Sequence, residues 1–355
     1  MYKVSVVVPI YNVEKYIVRC AESLFSQTLD DIQFIFVDDA SPDKSVSLLE
    51  QTLERFPQRK PHTIILHHAR NMGLPTARAT GLERVEAPYV AHCDSDDYVE
   101  LNMYETLYEC AIQNNSDMVI CGRTVHSFDG REYTVFDKPV NEDSVIINFL
   151  NGRLTPLVWP RLTRTCIYRQ VLFPVENYLE DWVQMAQLLT YSKRIMFLNE
   201  SLYHYVKNPL SISNDMSSDV VIDKMHQCIT NFYLMHDFVM KHHSVPEKVF
   251  VLKKESIRQR FLPLTKQWNV RMAYLKTFPE LNISILFNRS FSLRHRLFPL
   301  LVLLGLYPVS KTAYDFIKKV RLIINSKLRD LFQQAGPNVV RKKPLVSCSL
   351  HKQGV

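Results

Sequence analysis

The chain has 355 residues, 46% of them hydrophobic and 22% charged, which suits one large or two smaller folded domains and a globular rather than a disordered protein. Its seven cysteines are scattered and never form a C-x-x-C pair, which argues against a disulfide framework or a zinc site and for a reducing compartment. The net charge of +7 hides an asymmetry: residues 221–355 carry 23 Lys and Arg against 7 Asp and Glu, whereas residues 1–220 carry 20 against 29. The acidic part suits metal or cationic groups, and the basic part suits anionic lipid, nucleic acid or a phosphorylated substrate.

The opening "MYKVSVVVPIYN" reads as a first strand over 4–10 and not as a signal peptide, because its continuous β-branched run fits a strand buried on both faces. A helix follows over 13–27, then a strand over 32–41 that ends in acid. Ser41 is placed to cap the next helix, with Pro42 at its first position. Further strands are expected over 62–69, 88–94 and 117–122, with helices over 74–85 and 102–114. This alternation predicts parallel βαβ units with right-handed crossovers, in which ligands bind beyond the carboxyl ends of the strands. Tyr11-Asn12, Asp38-Asp39, Arg70-Asn71 and the run Asp94-Ser95-Asp96-Asp97 should therefore converge on one crevice.

Residues 128–175 are less regular, with a short strand expected at Thr165–Tyr168. A helix over 178–192 and a long strand or strand pair over 194–206 follow. From 216 the pattern turns helical and basic, so the chain divides into a sheet-bearing domain over 1–215, a helical basic region over 216–332 and a tail over 333–355 expected to be disordered. "LFPLLVLLGLYPV" (297–309) is about half the length that spans a bilayer as a helix. Arg294, Arg296 and Lys311 flank it, so a helix lying in a membrane interface is expected, with a core helix as the alternative.

Two acidic clusters end buried strands. Carboxylates at Asp94 and Asp96 on a tight loop can turn toward one divalent cation, Mg²⁺ or Mn²⁺, and a cation that also touches a diphosphate needs only one or two of them. The bland alternative is a solvated turn in which Asp97 caps the next segment. Asp38-Asp39 has the chemistry to accept a base N–H or a ribose hydroxyl, or forms an ordinary strand-end turn. No glycine-rich dinucleotide fingerprint and no P-loop are present.

The segments "VSVVVPIYNVEKYIVRCAESLFSQTLDDIQFIFVDDASPDKS", "ARNMGLPTARATGLERVEAPYVAHCDSDDYVE" and "YLEDWVQMAQLL" together resemble the family 2 inverting glycosyltransferases. The likeness covers roughly residues 1–210 and is to the bacterial branch that builds capsular, lipopolysaccharide or exopolysaccharide chains. It implies a GT-A fold: α/β, Rossmann-like, a mostly parallel central sheet with helices on both faces, here followed by a C-terminal helical region. It implies transfer from a nucleotide-diphosphate sugar, UDP-linked, to a hydroxyl of a glycan or lipid-linked acceptor. Pro9 and Tyr11 match the loop under the base, Asp39 the acid that binds it, and Gly73 and Arg78 the segment near the donor phosphates and sugar. Asp94 and Asp96 match the D-x-D signature, with Asp96 favoured for direct metal contact. Glu180-Asp181 matches the family's acid pair, with Asp181 the candidate general base. Adjacent acids at a helix N-terminus favour their ionised forms.

The chain departs from the family pattern in places. Ala40 stands where the family usually has Gly, Arg161 where it often has Lys, and Lys207 where it commonly has Arg. The loop after Tyr205 is expected to fold over the diphosphate, with His204 or Lys207 near it. The cysteine pattern, the basic charge and the 297–309 stretch give the expectation of a cytoplasmic protein, peripheral on the inner face of the membrane, and no helix-turn-helix, zinc finger or aromatic-basic RNA motif supports a nucleic-acid partner. A non-catalytic nucleotide-sugar-binding subunit of a membrane assembly complex is the alternative, though such a subunit has no need of the Glu180-Asp181 pair.

Overall fold

The run Val4–Ile10 forms strand β1, with every residue buried. The computed structural model describes residues 1–138, 145–208, 216–287 and 293–306. In chain order β1 is followed by α1 (Ile17–Phe25), β2 (Ile32–Asp38), α2 (Ser45–Glu54), β3 (Thr63–His67), α3 (Leu74–Leu82) and β4 (Tyr89–His92). These are the expected βαβ units, paired in parallel in the order β3-β2-β1-β4. Val4 lies opposite Ile32 and Tyr89, so β1 sits at the centre and its apolar run is covered on both faces.

After β4 come β5 (Tyr98–Val99), α4 (Met103–Gln113), β6 (Met118–His126), β7 (Glu132–Val135), α5 (Val145–Leu150), β8 (Arg161–Arg164), the single turn α6 (Thr165–Tyr168), α7 (Glu180–Tyr191) and β9 (Ile195–Val206). The sheet continues β4-β8-β6-β9-β5, and β7 pairs with β6. β8 runs antiparallel to both β4 and β6, so the sheet is mixed in this half.

Two local expectations give way here. The strand lies at Arg161–Arg164, and Thr165–Tyr168 is a helical turn. Thr165 leaves the ladder because its amide donates to Pro88 O at 2.9 Å and its Oγ1 to Ala87 O at 2.7 Å. Ser41 and Pro42 do not start α2, which begins at Ser45. Ala40 takes a left-handed φ of 57°, and the Asp43 carboxylate accepts the Ser45 amide at 3.1 Å and the Glu14 amide at 2.8 Å. That acid, not Ser41, organises the helix entry.

The basic region forms α8 (Ser218–His242), α9 (Glu247–Phe261), α10 (Trp268–Lys276), α11 (Leu281–Phe287) and α12 (Leu293–Leu303). Met1–Pro299 forms one compact unit, so α8 to α11 belong to the same unit as the sheet. The tail 333–355, the end of 297–309 and residues 209–215 lie outside the described residues. Among the described residues no helix is long and apolar enough to cross a membrane.

Candidate active site

The carboxyl ends of β1, β2 and β4 supply the rim that the βαβ pattern predicts. The Asp39 amide donates to Ile10 O at 2.9 Å, which sets the loops after β1 and β2 side by side. Pro9 is buried within β1 opposite Val37, and Tyr11 stands half-exposed just beyond it. No bond among the described residues joins the Tyr11 side chain to Asp39. Asp39 is buried and holds the loop before α3: its carboxylate accepts the Met72 and Gly73 amides, each at 2.8 Å, and contacts His68 Nδ1 at 2.7 Å. Gly73 has φ 90°, and a Cβ there would lie 2.4 Å from Asn177 Oδ1, which accepts the Leu74 amide at 2.9 Å. Glycine is required at this turn by both conformation and space.

Arg78 is the hub of the site. It projects from α3, only 1% exposed, and its guanidinium reaches three acids from distant segments. Nη1 donates to Glu180 Oε1 at 2.9 Å and to Asp181 Oδ1 at 2.7 Å, and Nη2 donates to Asp94 Oδ1 at 2.9 Å. The planar fork of arginine suits such multiple contacts, and a buried guanidinium requires them. Desolvation disfavours the charge, but Asp181, Asp94 and Glu180 outweigh it and hold the Arg78 pKa well above its ordinary value.

Glu180 and Asp181 open α7, where the helix terminus alone favours carboxylates. Burial wins instead. It is the largest cause raising both carboxyls, followed for Glu180 by the charge of Asp181. Arg78 pulls both back down, and a hydrogen bond from Glu180 lowers Asp181 further.

The loop after β4 answers to β9. Tyr203 OH accepts the Asp94 amide at 3.1 Å and donates to Asp97 Oδ2 at 2.8 Å, and Asp97 Oδ1 accepts the Val206 amide at 2.8 Å. Asp97 is fully buried and structural, anchoring the loop on β9 rather than capping the next segment. Asp96 Oδ2 accepts Asn208 Nδ2 at 3.0 Å, and burial, then the Asp94 charge, push its carboxyl up to about 6. Tyr203, Asn208, His68 and Asn177 were not legible as site residues, since no local motif marks partners up to 112 positions away.

His204 is a strand residue with a satisfied ring. It stacks on Tyr98 at 4.2 Å and contacts Glu100 at 2.7 Å and His126 at 3.0 Å. The Lys207 amide donates to His126 O at 3.1 Å. Arg161 is buried and paired with Asp137 at 2.8 Å.

Asp94 and Asp96 suit a divalent cation. Both are hard oxygen donors, and each has one carboxylate oxygen outside the bonds above. No group of three or more metal-ligating side chains occurs among the described residues. The donor set fits a cation that completes its shell with water and a diphosphate, not an all-protein cage.

The sequence profile of glycosyl transferase family 2 matches residues 5–176. The glycosyltransferase EpsJ of Bacillus subtilis (strain 168) is 32% identical over 245 residues, covering 65% of this chain and 69% of the relative. The minor teichoic acid biosynthesis protein GgaB of the same organism is 33% identical over 132 residues, 37% of this chain and 14% of that one. The crystal structure of S. aureus TarS 1-349 in complex with UDP-GlcNAc is similar in fold, with a TM-score of 0.58 at 18% identity over 88% of this chain and 92% of that one. The acid rim, the arginine hub and these likenesses agree: the chain belongs to glycosyl transferase family 2 and is a glycosyltransferase of the GT-A fold.

Proposed function

We propose that the chain transfers a sugar from a nucleotide-diphosphate sugar, UDP-linked, to a hydroxyl of a glycan or lipid-linked acceptor, with inversion, in the synthesis of cell-surface polysaccharide. The observation that carries this reading is the contact of one buried arginine with Asp94, Glu180 and Asp181. It ties the loop for the leaving group to the acid for the acceptor. The UDP-GlcNAc complex of TarS and the name of GgaB support the donor and the pathway class.

In this reading Asp181 is the general base. Its raised pKa makes it a stronger proton acceptor than an exposed aspartate. It takes the proton of the acceptor hydroxyl as that oxygen attacks the anomeric carbon, and the bond from that carbon to the diphosphate breaks on the opposite face. Arg78 fixes the distance between Asp181 and Asp94, and Glu180 keeps Arg78 in place. Asp39 and Gly73 shape the loop beside the base and phosphates, with Pro9 and Tyr11 beneath the base. Asp94 and Asp96 would hold a Mg²⁺ or Mn²⁺ ion, which when bound supplies positive charge to the leaving diphosphate.

Asp181→Asn tests this reading. The variant should keep its fold and bind the nucleotide sugar, and should lose about 10²- to 10⁴-fold in transfer rate. Turnover within a few-fold of the parent would remove Asp181 from the role of base. The basic helical region and residues 297–309 are assigned to the cytoplasmic membrane surface. Flotation with anionic vesicles at low salt should carry the protein upward, and recovery only in the soluble fraction would contradict that placement.

A further inference from the structure

We infer that Lys253 and Arg260 form a binding site for a phosphate ester carried by the acceptor, on the helical side of α7. The inference rests on the proposed glycosyl transfer and deepens its acceptor class.

Glu180 and Asp181 turn toward Arg78, whereas the residues on either side of them face α8 and α9. Lys253 Nζ lies 3.7 Å from the centre of the Trp182 ring, and Arg260 Cζ lies 5.3 Å from the same ring. The Phe149 ring stands 5.5 Å from Lys253 Nζ. On the other side of the acid pair, Lys224 Nζ lies 5.7 Å from the Tyr178 ring. Aromatic residues that bracket the base thus carry cations from the helical region.

Lys253 is only 6% exposed, and neither it nor Arg260 has an acidic partner among the described residues. Lys254 shows the contrast one position along α9, paired with Glu280 at 2.6 Å. An aromatic face replaces only part of the hydration a buried ammonium loses. Burial, then the charge of Arg260, pushes Lys253 down to about 7. Two cations on one indole without an anion are a poor arrangement for stability alone. They match a phosphate ester, with Lys253 at the back and the exposed Arg260 guanidinium as a fork at the entry. Trp182 follows Asp181 directly, so an acceptor that passes around the terminus of α7, from its sheet face to its helical face, presents a hydroxyl to Asp181 and a phosphate to Arg260. A polyol-phosphate chain and a lipid-linked diphosphate both carry that group.

The test is residue-specific. The full chain is labelled with an amine-reactive reagent at neutral pH, and the rate at Lys253 is read by mass spectrometry against the exposed Lys266. Glycerol phosphate or a short prenyl diphosphate should slow labelling at Lys253 several-fold and leave Lys266 unchanged. Protection should be lost in Arg260→Gln, and the more protective probe identifies the source of the phosphate. A rate at Lys253 indifferent to both probes overturns the inference, as does equal protection by sulfate or protection that survives in Arg260→Gln. If Lys253 labels too slowly to follow, the same probes should raise the Tm of the parent and not of Arg260→Gln. Asp181→Asn separates the two readings: full turnover in that variant with Lys253 still protected removes the base and leaves the phosphate site standing.

Discussion

The two faces of the start of α7 are out of charge balance in opposite senses. Toward the sheet, one guanidinium serves three acids within hydrogen-bond reach. Toward the helices, two cations share an indole without an acid among the described residues. A fold selected only for stability would pair these charges locally. Held apart, the acid side can accept cationic groups and a proton, and the basic side can accept an anion.

The acid side should break hardest. Arg78→Met leaves Asp94, Glu180 and Asp181 in a buried site with no cation, and the expected loss is about 3–5 kcal/mol in chemical denaturation. Glu180→Gln, which removes one of the three acids and keeps the arginine, should be near neutral or stabilising. If Arg78→Met costs less than about 1 kcal/mol, the acids are hydrated and the hub does not hold the site.

The basic side should respond to pH. Lys253 titrates near 7 in the folded chain, below its ordinary 10.5, so the unfolded chain binds more protons between those values. Stability is then fullest above 10.5 and is lost as pH falls toward about 7. Lys253→Met should gain on the order of 1–3 kcal/mol over the parent at neutral pH, and the gain should shrink as the solution becomes alkaline. Glycerol phosphate should narrow the neutral-pH gap by stabilising the parent alone. A gain that stays level across pH would mean that packing, not charge, separates the two proteins.

The sheet's centre was legible because Val4–Ile10 and Ile32–Asp38 are runs that only a doubly covered strand explains. From that register the rim residues Asp39, Asp94 and Asp96 follow, and the family likeness added Arg78 and the pair at 180–181. The burial of Arg78 was not legible: α3 has no clear apolar face, and the three partners lie 16, 102 and 103 positions away. The antiparallel β8 was hidden for a similar reason. Its pairing with β4 and β6 depends on tertiary closure, and its four residues carry no alternation long enough to read. The burial of Lys253 was not legible either, because nothing in the basic run of α9 shows that Phe149 and Trp182 pack against it.

The two sides also differ in backbone strain, and this yields the smallest effect. Asn12, Ala40 and Leu179 all hold positive φ in loops of the rim, while among the described non-glycine residues after 216 only Phe278, between α10 and α11, does. Ala40, at φ 57°, follows Asp39 directly and precedes Ser41, whose amide donates to Asp38 Oδ1 at 2.9 Å. For alanine the left-handed conformation costs about 1–2 kcal/mol, which glycine avoids. Glycine also loses more freedom on folding, an opposing term of about 0.5–1 kcal/mol. Ala40→Gly should therefore raise the denaturation midpoint by an amount worth about 0.5–1 kcal/mol, with an unchanged slope and unchanged donor affinity. A lowered midpoint would mean that the Ala40 methyl packs well enough to outweigh its strain, and that the turn bearing Asp39 is braced by contact as well as by hydrogen bonds.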